Sequence, residues 1–457
     1  MAGPSTGIGW CIRVSLAALA GGLIAQSAPA ADLLDVYQMA RENDPVFQSA
    51  KYALDAARQK VPEAISALLP SIGASATGGR TLGNTSYTGS PLVQRGFSSY
   101  TWVIQLTQPL LRAQGKATYD EARAVAEQGV AQYRRAEQDL ALRVAQAYFD
   151  ILIAREGVAA GDAQRTSTQE QLAATRRGFE DGTVAITDVH EAESHDQLAS
   201  AQSLAAINDL EAKRAELEAI LGQLPSYLSS LRDGAVSLRP DPNDVDIWIA
   251  RAKSDNPSVL AAAAMVKAAH AELNRAQFQR LPTIDLVGSI GRNYSSGNIN
   301  NPSNYATNAG DRQIGVQLSL PLIDGGGIHA VVREAKANEA KAESDLEAAR
   351  RKSGAEAREA FSGINNGLAQ IEALRLAVAS GESSVTGNRL GYQLGIRINS
   401  EVLDAQRQLY SSRRDLVKAR YDTLLQALRL KAAAGILSEG DIREVSTLLS
   451  LSQEGPS

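Results

Sequence analysis

The sequence is short of cysteine, of aromatic residues and of long apolar runs. Its 457 residues contain one cysteine, which excludes a disulfide-stabilised scaffold. Aromatic residues make up 5% of the chain although 44% is hydrophobic, whereas large globular cores use more Leu, Ile, Val and Phe. After the N-terminal segment no run approaches about eighteen apolar residues, so no helix is predicted to span a membrane. The net charge of −5 argues against nucleic acid as a main partner.

The N-terminal segment has the pattern of a secretory signal. Arg13 precedes a short apolar run at residues 14–25, and small residues follow at 27–31. We therefore predict a signal peptide at residues 1–31, cleaved near Ala30 or Ala31. The single cysteine, Cys11, lies inside this segment and is not preceded by a lipobox, so the exported chain is predicted to have no thiol and no lipid anchor.

The sequence pattern of the rest of the chain predicts an internal duplication. Residues 69–72 (Leu-Pro-Ser-Ile) recur at 281–284 (Leu-Pro-Thr-Ile), and other landmarks share this offset of 212. Further along the offset becomes 213, as from Gly182 to Gly395. The predicted repeats are residues 32–240 and 241–440, with a C-terminal tail at 441–457.

Each repeat has the same predicted order of elements. In the first, a helix at 33–68 ends before a proline, and a polar stretch at 71–99 leads to an extended run that ends at Pro109. A long helix at about 118–179 and a break at Asp181-Gly182 follow, and a second long helix ends near Gly222. The order is helix, strand, polar loop, strand, long helix, break, long helix.

Alternating apolar residues predict the strands. The apolar positions are Tyr100, Trp102, Ile104 and Leu106 in the first repeat and Ile314, Val316, Leu318 and Leu320 in the second. An ordinary sheet with one buried face and a membrane barrel with these residues facing lipid both fit the alternation. Four strands per chain cannot close a barrel, since the smallest have about eight. If the strands lie in a membrane, three chains supplying twelve strands are the simplest solution.

The long helices carry a coiled-coil seam. Apolar or small residues recur at steps of three and four along the first of them, as at Leu140, Val144, Ala147 and Ile151. A helix of about sixty residues extends roughly 90 Å. Two antiparallel hairpins per chain, in three chains, would form a tube of twelve helices. The alternative from another functional class is a structural periplasmic coiled-coil protein without a pore.

The two hairpin tips carry the most specific motif. Gly182 is followed six residues later by Asp188-Val189, and Gly395 by Glu401-Val402. With the duplication, the strand exits and the signal peptide, this pattern resembles the TolC family of outer-membrane channels over residues 32–449. The resemblance implies a mainly α protein with a β-barrel part. It further implies a homotrimer in which a 12-stranded outer-membrane β-barrel continues into a 12-helix periplasmic α-barrel.

The resemblance also implies a function and its partners. The protein would be the outer-membrane export duct of a type I protein secretion or multidrug efflux system in a Gram-negative cell. A periplasmic adaptor and an inner-membrane ABC or proton-driven transporter would open its periplasmic end. The lack of a lipid-anchor cysteine favours the protein-secretion branch.

Site residues follow from matching the family's motif to this chain. The implied gate carboxylates are Glu401 and Asp404, and the implied latch between hairpins comprises Thr187, Asp188, Tyr392 and Arg397. Contacts with the adaptor are implied at Gly182, Val184 and Gly395. The alternative for Asp188 and Glu401 is a helix-start role that complements the helix dipole.

Nothing in the sequence predicts an enzyme, a metal site or a cofactor. The four histidines, His190, His195, His270 and His329, lack metal-ligand spacing. The Gly-Gly-Gly run at 325–327 lacks the Gly-Lys-Ser/Thr ending of a phosphate loop, and no Gly-x-Ser-x-Gly elbow occurs.

Overall fold

A computed structural model describes residues 31–86, 88–89, 91–225, 227–231, 239–299 and 305–450. The predicted signal peptide, apart from Ala31, lies outside these residues. The helices are α1 (Leu33–Asn43), α2 (Pro45–Ser66), α3 (Ala113–Glu180), α4 (Ile186–Leu221), α5 (Val245–Asp255), α6 (Pro257–Phe278), α7 (Gly327–Gln393), α8 (Asn399–Ala433) and α9 (Glu439–Thr447). The strands are β1 (Ser71–Thr85), β2 (Val93–Leu111), β3 (Ser230–Leu231), β4 (Thr283–Ser295), β5 (Thr307–Ser319) and β6 (Leu449–Ser450).

The predicted single helix at 33–68 is wrong, because the chain breaks between α1 and α2. Pro45 has no backbone N–H and disfavours the helical conformation at the residue before it. Asp44 accordingly has an extended conformation (φ −66°, ψ 117°), and its side chain caps α2 by accepting a hydrogen bond from the Phe47 amide. Asn256 plays the same part between α5 and α6, where its side chain accepts from Ser258 N.

Four strands form one antiparallel sheet in the order β1-β2-β4-β5. Each half of the chain contributes one hairpin, and β2 pairs with β4 to join the two. The prediction of four strands is confirmed, although they have 13 to 19 residues where about ten were expected. The outer strands β1 and β5 each have one edge that pairs with no other strand of the described part of the chain.

A bidentate ion pair ties the two hairpins at the end of the sheet nearest the helices. Both carboxylate oxygens of Asp285, at the start of β4, accept hydrogen bonds from Nη2 of Arg112, just after β2, at 2.9 Å. The Asp285 side chain is 16% exposed, so the pair is only partly screened by water. It fixes β2 against β4 where the strands give way to helices.

The long helices extend from the sheet as two antiparallel hairpins. The 68 residues of α3 reach about 100 Å at 1.5 Å per residue, and α7 has 67 residues. The largest core lies near the middle of the molecule, where α3 meets the ends of α4 and α8 and the short α1 and α9. Its fully buried side chains include Leu33, Leu140, Tyr148, Leu152, Leu217, Leu424, Leu428 and Ile442.

The observed order of elements is the same in the two halves of the chain. Two short helices, two strands and two long helices occur in α1–α4 with β1 and β2, and again in α5–α8 with β4 and β5. The helix α9 crosses the predicted boundary of the tail at residue 441, and its Ile442 and Val445 are buried against the central core. Among the described helices, none is both long and apolar enough to cross a membrane.

Candidate gate and membrane wall

The family resemblance makes α3 and α4 the outer hairpin and α7 and α8 the inner hairpin. The outer hairpin turns at Gly182, which follows α3. Its φ of 69° lies in the left-handed region that favours glycine. The turn is closed by a hydrogen bond of 2.8 Å from Thr183 N to the carbonyl of Gly178. A Cβ on Gly178 would lie 2.7 Å from Cγ2 of Val184, so this close approach also requires glycine.

The inner hairpin repeats that turn at Gly395, where φ is 72°. The carbonyl of Gly391 accepts hydrogen bonds from Ile396 N at 2.9 Å and Arg397 N at 3.1 Å. A Cβ on Gly391 would lie 2.6 Å from Cγ of Arg397. The glycine spacing noted in the sequence therefore encodes one turn geometry used at both tips.

Both predicted gate carboxylates have an arginine partner on α8 or just before it. Glu401 Oε2 lies 2.5 Å from Nη1 of Arg397, and Asp404 Oδ1 lies 2.9 Å from Nη2 of Arg407. The side chains of all four residues are at least 38% exposed. The candidate gate thus presents neighbouring positive and negative groups, and these exposed pairs can exchange partners at little cost.

The predicted latch residues lie at the two tips but are not joined within one chain. Asp188 Oδ2 accepts a hydrogen bond from Ala185 N at 3.4 Å, which is the contact of a helix-start residue. Thr187 is exposed and Tyr392 is partly buried. Across the residues that the structure describes, no hydrogen bond or ion pair runs from Arg397 to either of the outer-hairpin latch residues.

The repeat offset of 213 identifies a carboxylate that the sequence analysis missed. It relates Asp188 to Glu401, and Glu191 to Asp404. Glu191 is exposed on α4, so both hairpins carry two carboxylates three residues apart. The outer hairpin has Val184 and Ser194 at the positions of Arg397 and Arg407.

A buried valine follows the first carboxylate of each pair. Val189 is 6% exposed in the outer hairpin and Val402 is 2% exposed in the inner hairpin. Because each valine packs inside its hairpin, the rotation of the helix is fixed. The carboxylates are therefore kept on the outer surface of the two-helix unit.

Ion pairs also link the two helices within each hairpin. Arg176 Nη2 lies 2.8 Å from Glu193 Oε1 in the outer hairpin, and Arg413 Nη2 lies 2.6 Å from Glu382 Oε1 in the inner hairpin. Hydrogen bonds from Arg176 and then His190 lower the pKa of Glu193 below its usual range. Each hairpin therefore has its own ion pair between its two helices, on the sheet side of its tip.

The sheet shows an apolar face with aromatic residues towards one end. Tyr100 and Tyr294 on the adjacent strands β2 and β4 stack with ring centroids 5.4 Å apart. Of the residues predicted to face lipid, Leu106 is partly buried and the others are exposed in the single chain, with Trp102 at 43% and Ile314 at 78%. Ile104, Leu106, Val316 and Leu318 share their face by alternation.

The described residues contain no group of three or more His, Cys, Asp or Glu side chains that could hold a metal ion. A four-stranded sheet joined to helices about 100 Å long is the architecture expected of an outer-membrane channel. The chain belongs to the outer membrane efflux protein family, whose profile matches residues 36–223 and 248–436.

Individual relatives are similar over nearly the whole chain. The outer membrane protein TolC of Vibrio cholerae is 32% identical over 434 residues, which are 95% of this chain and 97% of that protein. The alkaline protease secretion protein AprF of Pseudomonas aeruginosa is 32% identical over 432 residues, 93% of this chain and 88% of that protein. The crystal structure of the Campylobacter jejuni CmeC outer membrane channel matches with a TM-score of 0.75 at 17% identity, over 98% of both chains.

These comparisons confirm the predicted class, function and location. The protein is an outer-membrane efflux or secretion duct that extends into the periplasm, and it is not an enzyme. The mainly helical fold with channel-like similarity is likewise confirmed. The scaffold without a pore is not favoured.

Proposed function

We propose that three copies of this chain form the duct, with a 12-stranded β-barrel that continues into a 12-helix periplasmic tube. The observation that carries this proposal is the sheet with open edges at β1 and β5. Unpaired strand edges are not tolerated in a bilayer, because lipid offers no hydrogen bonds to the backbone. Three four-stranded sheets supply twelve strands, and their six hairpins supply twelve helices.

The internal duplication that we propose predicts how β5 pairs with β1 of the next protomer. If β2 is equivalent to β5 and β4 is equivalent to β1, each observed β2·β4 pair predicts a β5·β1 pair. The residue number on β2 is raised by 212, and the residue number on β4 is lowered by 212. The observed pair Leu106↔Gly288 then becomes Leu318↔Ala76 across the seam, which is the junction between β5 of one protomer and β1 of the next. Apolar-face residues pair with apolar-face residues in this register, as the pleat requires.

Cysteine cross-linking tests both the trimer and the register. We expect the Leu318→Cys/Ala76→Cys variant to form disulfide-linked dimers and trimers, because facing Cα atoms lie within about 7 Å. The two residues lie on opposite edges of the sheet in one chain, so an intrachain disulfide cannot form. The one natural cysteine, Cys11, lies in the predicted signal peptide.

The matched control is Leu318→Cys/Ile72→Cys, which keeps the same face but is four residues out of register. It should stay monomeric on a non-reducing gel. Equal cross-linking of both variants would contradict the register, and no cross-linking of either in membranes would contradict the trimer.

At the periplasmic end we propose that Glu401 and Asp404 of three chains surround the entrance. The hairpins would twist outward to open it, after the polar links among Thr187, Asp188, Tyr392 and Arg397 are broken. The geometry that supports this is the placement of all six residues at the two tips. The exposed ion pairs on Glu401 and Asp404 are weak enough for a partner to rearrange.

The tips are also the proposed contact for the periplasmic adaptor, at Gly182, Val184 and Gly395. Large apolar side chains are exposed beside Gly395, with Leu394 at 64%, Ile396 at 75% and Ile398 at 64%. Exposed apolar groups of this size mark interaction sites. An Ile396→Asp/Ile398→Asp variant should lose copurification with the adaptor while remaining a trimer.

For the cargo we propose a secreted protein, driven by an inner-membrane ABC transporter through the adaptor. The support is the similarity to AprF, named for alkaline protease secretion, together with the predicted lack of a lipid anchor. Deleting this gene should stop secretion of a protein cargo without changing resistance to drugs. The reverse result would identify a multidrug efflux duct.

A further inference from the structure

Charge is segregated between the two faces of the sheet. On the apolar face, formed by the even-numbered strand residues, the described strands carry Arg80, Arg292 and Arg312 and no carboxylate. The strand carboxylates Asp285 and Asp311 lie on the opposite face by alternation. Within the described residues, no carboxylate forms an ion pair with any of the three arginines.

The three arginines all lie at one limit of the apolar band. Arg80 and Arg292 follow Ile72 and Ile284 by eight residues, and Arg312 precedes Leu320 by eight. Eight residues of a tilted strand climb about 20 Å, close to the height of the apolar band of a membrane barrel. The free-energy cost of placing arginine on the lipid-facing side of a barrel is small only near the edge of this apolar band.

Aromatic side chains place the same level at a membrane interface. Arg292 lies opposite Trp102 in the register, and the next pair on this face is Tyr100↔Tyr294. Aromatic belts of this kind sit at the level of the lipid headgroups. The helices leave the sheet at its other end, so this level belongs to the outer leaflet.

The register also brings the arginines together. Within one chain Arg292 lies opposite Gly310 and Ile290 lies opposite Arg312, so the two arginines are diagonal neighbours about 7–8 Å apart. In the seam, which rests on the proposed trimer, the observed pair Trp102↔Arg292 shifts to Ile314↔Arg80. That register makes Arg80 of the partner subunit the diagonal neighbour of Arg312.

We infer that Arg292, Arg312 and Arg80 of the partner subunit bind the phosphate of an outer-leaflet lipid headgroup. One guanidinium group donates two parallel hydrogen bonds to the oxygens of a phosphate. Clusters of basic residues beside a membrane attract anionic lipid headgroups. Arg292 is already oriented, since its Nε donates to Asn308 Oδ1 at 2.8 Å. Three such sites per trimer lie over the three seams, where a bound lipid would join neighbouring subunits.

Native mass spectrometry of the detergent-purified full-length protein tests this site. The probes are lipid A with its phosphates, lipid A without them, and inorganic phosphate at millimolar concentration. We expect up to three phosphorylated lipids per trimer, and little retention of the dephosphorylated lipid or of inorganic phosphate. Equal retention of both lipids would overturn the site, and a stable inorganic phosphate adduct would overturn the lipid as its ligand.

Three variants locate the binding. Arg80→Gln/Arg292→Gln/Arg312→Gln should weaken binding of phosphorylated lipid A at least about tenfold. Arg333→Gln/Arg350→Gln/Arg358→Gln on α7 has the same change of charge and should bind as the wild type does. Arg292→Gln alone, on an interior strand away from the seam, should give an intermediate loss.

The same spectra separate this inference from the proposed trimer. Trimers that bind lipid equally well in the first variant would overturn the arginine site alone. A wild-type protein that is not trimeric would overturn the proposed assembly. A triple variant that is still trimeric in these spectra excludes misfolding as the cause of its loss, and intermediate binding by the single variant assigns part of the loss to Arg292.

Discussion

At the scale of single residues, the charges of the candidate gate are arranged in pairs. Arg397 lies beside Glu401, and Arg407 beside Asp404. Six carboxylates in the proposed trimer would therefore be accompanied by six arginines. Such exposed pairs contribute only about 0–1 kcal/mol each, so they set the local potential more than they hold the tips together.

Removal of the gate carboxylates should change ion selectivity. We expect Glu401→Ala/Asp404→Ala to reduce the preference for cations, because the mouth is left with arginines alone. Reversal potentials in asymmetric salt measure this preference. The matched control, Glu180→Ala/Glu191→Ala, removes two exposed carboxylates from the outer hairpin without touching the proposed latch and should retain it. An unchanged preference in both variants would remove Glu401 and Asp404 from the gate.

Replacement of Arg397 by serine should raise single-channel conductance. The variant removes the proposed latch cation and also leaves Glu401 without its partner 2.5 Å away. Asp188→Asn separates these causes, since it also raises conductance only if Arg397 is latched to Asp188. Arg407→Ser serves as the control, and unchanged conductance in Arg397→Ser would contradict the latch.

At the scale of elements, the junction of α1 and α2 depends on a buried carboxylate. Asp44 is 2% exposed, accepts from Phe47 N at 3.1 Å and lies 2.6 Å from Nη2 of Arg143 on α3. One side chain thus caps α2 and ties the junction to the longest helix.

Asp44→Ala should destabilise the protein by about 2 kcal/mol, because it removes the cap and leaves Arg143 unpaired. Asp44→Asn should cost less, since asparagine is the cap that α6 uses at Asn256. Thermal unfolding followed by circular dichroism measures both. Equal losses in the two variants would show that the cap contributes nothing.

The docking of α9, which Lys431 of α8 ties by ion pairs, should depend on pH. Burial raises the pKa of Asp441, but hydrogen bonds from Lys431 and Ser438 outweigh it and hold that pKa below the usual value. A lowered pKa in the folded state gives stability that is present above the unfolded value, about pH 4, and is lost as pH falls through the folded value.

We therefore expect the protection of residues 439–449 against hydrogen exchange, measured relative to the intrinsic exchange rate at each pH, to fall below about pH 4. In Asp441→Asn the protection should already be lower at neutral pH and should change less on acidification. Protection that is independent of pH in the wild-type protein would contradict this role for the Lys431–Asp441 pair, whose atoms lie 2.7 Å apart.

The elements were more predictable than their contacts. Alternation at Tyr100 to Leu106 and the glycines of the tips predicted strands and turns, because both are encoded locally. The break at Pro45 was missed although its motif was visible, since the long helical pattern continued on both sides. The pairing of Arg397 with Glu401 depends on side-chain rotamers, and the strand lengths depend on pairing across the sheet, so neither follows from a pattern in one segment.

At the scale of the whole molecule, the protomer is incomplete by itself. Both edges of its sheet lack partners among the described residues, and Ile314, Val316 and Leu318 are more than 60% exposed in the single chain. In the proposed trimer, a bilayer and two further copies of the chain account for both features. The pore is then a property of the assembly, and the β5–β1 seams are the features of that assembly that an experiment can test most directly.

The most direct test is planar-bilayer conductance of the purified protein with its trimeric state established beforehand. We predict small, stable, cation-selective current steps, because in the proposed trimer the hairpins narrow the periplasmic end while the barrel remains open. Folded trimers that insert into the bilayer and pass no current would contradict the claim that this protein is a duct.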